Sequence, residues 1–194
     1  MPKITLDEFC SHWVQGKWTR VMASRLEHNV FDFVTAAGEY TKGRFQSSFS
    51  SGGFCGESKW APRTSRWGKR FTHPVMNDTG TLAKSIEGKA SRVDIEGRRT
   101  NRTRIFRKGA YYTIWTTEKS VPAKGKRGKS RERYGHYAAV HNTDPKFGLY
   151  TVNQYSSRRP VHRQFIGFSP GVEEYIASHF MDMIFKGFPH DDKR

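Results

Sequence analysis

The feature that most constrains this chain is a change of hydrophobic period. Over residues 18–49, Leu26, Val30, Phe33, Val34, Ala37, Tyr40, Phe45 and Phe49 return at three- and four-residue steps. That spacing lines them along one side of an α-helix, which Gly52-Gly53 should end. Over residues 90–117 the period falls to two. Val93 and Ile95 alternate with polar residues, and residues 105–107 and 111–116 are rich in β-branched and aromatic side chains. Gly97 and Gly109 punctuate the run, so it reads as three strands of an antiparallel sheet with one wet face. The helical period then returns. Pro170 suits the first position of a last helix whose buried face is Val172, Ile176, Phe180, Met183 and Ile184, and Gly187 with Pro189 end it.

The segments between are weaker in pattern. Thr5 and Glu8 have capping-box spacing, with Gly16 weakening any helix that follows. Residues 50–81 read as an extended loop containing Trp60 and Trp67, and residues 82–86 as a helical turn anchored by Leu82 and Ile86. Residues 137–141 are a short apolar segment, and residues 142–164 are irregular. The expected fold is α+β: a long N-terminal helix and a C-terminal helix packed on a small antiparallel β-sheet, with long basic and aromatic loops. A single domain over residues 1–194 is expected, with a flexible basic insertion at 119–133 and a frayed tail at 188–194.

Composition tempers this picture. Only 35% of the residues are hydrophobic, but 14% are aromatic, and aromatic rings bury much area each. The expectation is a modest core with a large polar remainder. No apolar run reaches the roughly 18 residues of a membrane helix, so no membrane partner is expected. The first eight residues lack the pattern of a secretory signal, which favours synthesis in a cytoplasm. Cys10 and Cys55 stand in no metal-binding spacing, and a reduced pair is expected.

The net charge of +16 is uneven. Residues 51–108 hold 14 basic and 5 acidic side chains, and residues 109–134 hold 7 and 2. Lys119, Lys124, Lys126, Lys129, Arg127, Arg131 and Arg133 make residues 119–133 a basic loop with almost nothing to bury. Such a field suits an acidic partner, either a nucleic acid or an acidic protein surface.

Reaction chemistry is thinly represented. His141-Asn142 has no histidine at a helical metal-binding interval, so a metal-dependent nuclease there is a minor alternative. Glu173 and Glu174 are adjacent on a helix and point about 100° apart, which suits the helix dipole better than paired acid–base work. Gly52, Gly53 and Gly56 lack the Lys-Ser/Thr of a phosphate loop. No cofactor or metal is expected, and the chain reads as non-enzymatic.

The order of short motifs is more informative. Phe54-x-Gly56-Glu57-Ser58-x-Trp60-x-Pro62-Arg63 is followed by Thr79-Gly80-x-Leu82-x-x-Ser85-Ile86. Then come Tyr137-Ala138-Ala139-Val140-His141-Asn142, Arg159-Pro160, and Arg163-Gln164-Phe165-Ile166-Gly167-x-Ser169. Over residues 20–187 this series resembles the phage virion-morphogenesis, or tail-completion, family. The resemblance implies a structural subunit of a tailed phage, at the neck or tail, joining its own copies in a hexameric or related ring. Its further partners would be neck, tail, portal or connector proteins, with possible contact to packaged DNA through the basic loop. Trp60 would pin the loop to the core, Thr79-Gly80 would cap a turn, His141-Asn142 would close hydrogen bonds and Phe165 would anchor the last helix. The sequence departs from the pattern at Thr143-Asp144-Pro145, where a glycine is usual, and in the length of its basic loop. A basic nucleic-acid-binding protein acting outside a particle is the alternative.

Overall fold

A computed structural model describes residues 17–63, 72–77, 80–100, 103–117, 137–144, 146 and 161–188. The architecture is α+β. Helix α1 covers Lys17–Ser51, and a two-residue hairpin follows it, strands β1 (Gly53–Phe54) and β2 (Ser58–Lys59). A single helical turn, α2 (Thr81–Lys84), leads into the long strands β3 (Ile86–Thr100) and β4 (Thr103–Thr116). Helix α3 spans Tyr137–Asn142 and α4 spans Pro170–His179, with a 3-10 helix over Met181–Phe185. Among the described residues both sheets are two-stranded, β1 with β2 and β3 with β4. Among the described residues no helix is long and apolar enough to cross a membrane.

The three strands expected between residues 90 and 117 are instead two. The strand expected at 105–107 and the one at 111–116 are one continuous β4, and β3 starts at Ile86 and runs through Gly97. A glycine within a strand costs roughly 0.5–1 kcal/mol, and a paired ladder outweighs it. The last helix is also shorter than its apolar pattern. It stops at His179, and Phe180, Met183 and Ile184 fall at or in the 3-10 turn instead. Phe188 is tied back by its N–H to the carbonyl of Phe185 at 3.0 Å. The Thr5–Glu8 capping box lies outside the described residues.

The chain divides into two compact units. The first comprises Met1–Gly38, Lys89–Thr113 and Tyr175–Arg194. Here the N-terminal part of α1 meets the β3–β4 ribbon. The Arg92 guanidinium lies over the Phe31 ring, 4.5 Å from its centroid. Gly38 is required where it stands, because a Cβ would coincide with the Tyr112 ring. Leu26, Val30, Phe31, Val93 and Ala110 line a groove of about 290 Å³ rather than interlocking. Leu26, predicted on the buried stripe, is 40% exposed. The buried side chain in this part of α1 is polar: Asn29 Nδ2 donates to the carbonyls of Ile184 and Lys186 at 3.0 and 2.9 Å. It thereby fastens the turn after the 3-10 helix, with Arg25 donating to the carbonyl of Gly187.

The second unit comprises Glu39–Gly88 and Ile114–Glu174. It holds every buried apolar side chain among the described residues: Phe45, Phe49, Phe54, Cys55, Trp60, Leu82, Ile86, Ala138, Phe165 and Val172. The last turns of α1 supply Phe45 and Phe49, one helical turn apart on the same face.

Candidate functional site

The described motif residues come together in the second unit, and the end of α1 organises them. Gly52 takes a positive φ of 71° and its N–H bonds the Ser48 carbonyl at 3.0 Å, closing the helix. The chain then reverses through β1 and β2, with Gly53 opposite Lys59 and Phe54 opposite Ser58. Residues 53–60, read from sequence as part of an extended loop, are therefore a packed hairpin. Ser48 is fully buried. Its hydroxyl donates to the Arg44 carbonyl at 3.0 Å and accepts the Cys55 N–H at 2.9 Å. Cys55 itself has φ 49°, a conformation that L residues seldom adopt. The Arg44 guanidinium donates to its carbonyl and holds it there.

Five aromatic rings pack at this hairpin. Phe49 meets Trp60 edge-on at 5.3 Å and Phe165 at 5.3 Å, and Phe45 stacks with Phe54 at 5.9 Å. The buried indole N–H of Trp60 donates to the Gln164 carbonyl at 2.7 Å, so the ring is placed by packing and by a directed bond. The Arg163 guanidinium donates to the carbonyls of Ala61 and Pro62 at 3.0 and 3.3 Å. Segment 60–62 and segment 163–165 are thus stitched together by three hydrogen bonds.

Asn142 ends α3 and serves as an edge for the same segment. Its Oδ1 accepts the N–H groups of Phe165 and Ile166 at 2.8 and 2.9 Å, and its Nδ2 donates to the Ile166 carbonyl at 3.0 Å. A side-chain amide here replaces a missing strand neighbour, leaving few backbone groups of residues 165–166 unsatisfied. His141 is held down to about 4 from its ordinary 6.5, first because burial penalises the charged ring and second because the Arg163 guanidinium repels it. It is neutral at pH 7. Its carbonyl accepts the Arg163 N–H at 2.9 Å.

The entry to α4 joins the hairpin by another route. Ser169 precedes Pro170, and its Oγ accepts the Val172 N–H at 3.3 Å as an N-cap. The same hydroxyl donates to Glu57 Oε1 at 2.6 Å, which also accepts the Gly171 N–H at 2.6 Å. A carboxylate at the first turn of a helix is favoured by the helix dipole. Burial pushes the Cys55 thiol up, against the lowering effect of hydrogen bonds to Ser169 and Ser48, so it stays protonated.

The remaining predicted residues find structural places. Gly80 caps α2 with a φ of 72°, a left-handed conformation that glycine adopts without Cβ strain. Leu82 and Ile86 are buried, and the Ser85 hydroxyl donates to the Leu82 carbonyl at 2.7 Å. The Ser85 carbonyl accepts the Thr117 N–H at 2.8 Å. Ala138 is buried in α3, and Tyr137 opens that helix. Pro62 is exposed and contributes its carbonyl. Gly167 has a φ of 153°, with the Gln164 side chain where a Cβ would stand. Thr79, Arg159 and the basic loop, with Lys119, Lys124, Lys126, Arg127, Lys129, Arg131 and Arg133, lie outside the described residues.

Sequence reasoning gave no role to Ser48 or Arg44 and no partner to Glu57, Arg163 or Ser169. The partners that tie them across the fold stand 7 to 114 positions away in sequence, and no spacing rule reaches a hundred residues. Among the described residues no group of three or more His, Cys, Asp or Glu side chains is arranged to hold a metal ion. No protein-family model, curated protein or solved structure matches this chain.

Proposed function

We propose that this chain is a structural virion protein of a tailed bacteriophage, a neck or tail-completion subunit that joins its copies in a ring. One observation carries the reading. Among the described motif residues, Trp60, Leu82, Ile86, Ala138 and Phe165 are buried in one unit, and the polar side chains of Trp60, Arg163 and Asn142 are spent on other parts of the same chain. Trp60 and Arg163 bond backbone carbonyls, and Asn142 bonds backbone at residues 165–166. Residue choice in the motifs is thus accounted for by architecture. The protonated Cys55 thiol and the half-buried, neutral His141 are poorly suited to nucleophilic or acid–base work.

The first unit fits a subunit that is completed by neighbours. Val21, Leu26, Val93, Tyr111, Met181 and Phe185 are 38–62% exposed there; apolar residues scattered singly are ordinary on a folded surface, and the proposed ring would use them as contacts between copies. The chain would be made in the host cytoplasm and end in the neck or tail, against portal, connector or tail proteins.

Two measurements test the proposal together: the mass of the purified chain by light scattering, and its presence in mature particles by mass spectrometry and cryo-electron microscopy. A closed oligomer and a ring on the tail axis are expected. A chain that stays monomeric at high concentration and is missing from particles removes the proposal. Metal-dependent DNA cleavage abolished by His141→Ala would put the nuclease reading in its place.

A further inference from the structure

Phe168 is the most exposed large apolar side chain among the described residues, at 71%. A lone phenylalanine on a surface is ordinary, but the backbone that carries this one is fixed on both sides. Before it, Asn142 accepts the N–H groups of Phe165 and Ile166, and Gly167 holds a φ of 153° that L side chains rarely adopt. After it, the buried Ser169 caps α4 through the Val172 N–H and donates to Glu57. Phe165, three residues earlier, is fully buried. The segment therefore directs one ring into the core of the second unit and holds the other out in solvent. A ring carried on so fixed a backbone loses little conformational freedom when it is covered, and that preorganisation is what gives an interface anchor its affinity.

The first unit offers a recess of matching size. Its groove of about 290 Å³ is walled by Leu26, Val30, Val93 and Ala110, with Phe31 and Arg92. An apolar cavity of about 150 Å³ accommodates benzene, so one phenyl ring fits here with room for the chain on either side. Small-molecule sites start at roughly 300 Å³, so the groove suits a side chain better than a cofactor. The Arg92 guanidinium lies over the Phe31 ring, and Arg92 is exposed. An entering ring stacks on its other face. Charge agrees. Residues 164–174 hold two acidic residues, the exposed Glu173 and Glu174, and no Lys or Arg, and Glu57 joins them at Ser169. The unit that holds the groove is basic, with 15 Lys and Arg against 9 Asp and Glu. Arg92 stands in the groove wall together with Glu27. An acidic surround on the ring and a basic one on the groove favour their encounter.

From this we infer that Phe168 of one copy seats in the groove between Leu26, Val30 and Val93 of a second copy of this chain. The inference rests on the reading that copies join in a ring, and it names the two surfaces that meet. Ring and groove are different patches of one chain, so the contact is heterologous. A pair made through it still has one Phe168 and one groove unused. Further copies therefore add head to tail until the rotation closes the circle.

The test is the mass of the full chain in solution by light scattering, with two variants that break the contact from opposite sides. Phe168→Ala removes the ring, and Leu26→Glu places a carboxylate at the groove. Both positions are at least 40% exposed, so the fold should tolerate either change. Each variant alone should be monomeric where the unaltered chain assembles, with self-affinity lowered about thirtyfold or more. Mixed in equal amounts, the intact groove of the first takes Phe168 of the second, and a one-to-one dimer with nothing larger is expected. Variants that assemble like the unaltered chain overturn the inference and leave the ring reading standing, and so does a mixture that stays monomeric. An unaltered chain that is itself monomeric removes the ring reading and the inference with it. A benzophenone amino acid in place of Phe168 keeps a ring there and needs no disruptive change. Mixed isotope-labelled and unlabelled chains then mark the photocrosslinks between copies. Crosslinks to residues 26–31, 92–93 or 109–110 uphold the inference, and crosslinks confined to other segments overturn it.

Discussion

The two units of this molecule are built on opposite principles. The second is dry at its centre: Phe49 and Phe165 are at most 2% exposed, and the polar groups around them are bonded across long stretches of sequence. The first, among its described residues, buries the polar side chain of Asn29 and leaves Phe185 and Val21 more than half exposed. Apolar burial contributes roughly 25 cal/mol per Å², so the second unit holds most of the stabilisation visible in one chain. In the first unit the described contacts include the Arg92–Phe31 pair and the Asn29 hydrogen bonds, each worth about 0.5–1.5 kcal/mol net. The contrast teaches where this chain is self-sufficient and where it has surface to offer.

The largest effect that could break this contrast is at Phe165. Phe165→Ala should cost about 3–5 kcal/mol in urea unfolding, because it empties a fully buried site between Phe49 and its neighbours. A loss under about 1 kcal/mol would mean that the second unit is not the stabilising one.

Acid should act on the same unit. The His141 pKa is about 4 in the fold against 6.5 for the free side chain. Above pH 6.5 neither state holds the proton and nothing is lost. As pH falls from 6.5 towards 4 the unfolded chain takes the proton first, and stability drops by up to about 3 kcal/mol. Urea midpoints against pH should show this fall, and His141→Gln should flatten it.

Asn142→Ala comes next. It strips the N–H groups of Phe165 and Ile166 of their shared acceptor, with a cost of about 2–3 kcal/mol. Asn142→Asp, which keeps the acceptor, should recover part of that in the same unfolding experiment.

The smallest effects belong to the first unit and sharpen the comparison. Asn29→Ala should cost about 1 kcal/mol, read most directly as faster amide hydrogen exchange around residues 184–187. Phe185→Ser, at a side chain 62% exposed, should change the stability of the isolated chain by less than about 0.5 kcal/mol. The same change should weaken self-association if the exposed surface joins copies. Equal behaviour in both assays would place the contact elsewhere.

Much of the fold was legible in local pattern. The period of the apolar residues located α1, and Pro170 marked the start of α4 to the residue. Gly80 was readable as a cap before Leu82 because turn chemistry is local. The strand count was not readable, since a glycine that breaks an isolated strand is tolerated in a paired one. Leu26 was misplaced because periodicity says which side of a helix is apolar, not whether anything covers it.

The same division holds for the candidate site. Trp60, Asn142 and Phe165 stand out in sequence because their types and order are unusual, and each proves to be a fixed point of the second unit. Ser48, Glu57 and Arg163 do not stand out. Their roles exist only once β1 and β2 fold back on α1 and residues 163–171 arrive beside them. The sequence by itself determined the helix, the β-rich middle, the basic charge and the residues able to bury or bond. Tertiary structure alone decided which polar groups meet, because a hydrogen bond depends on distance in space, and the chain brings partners together across a hundred residues.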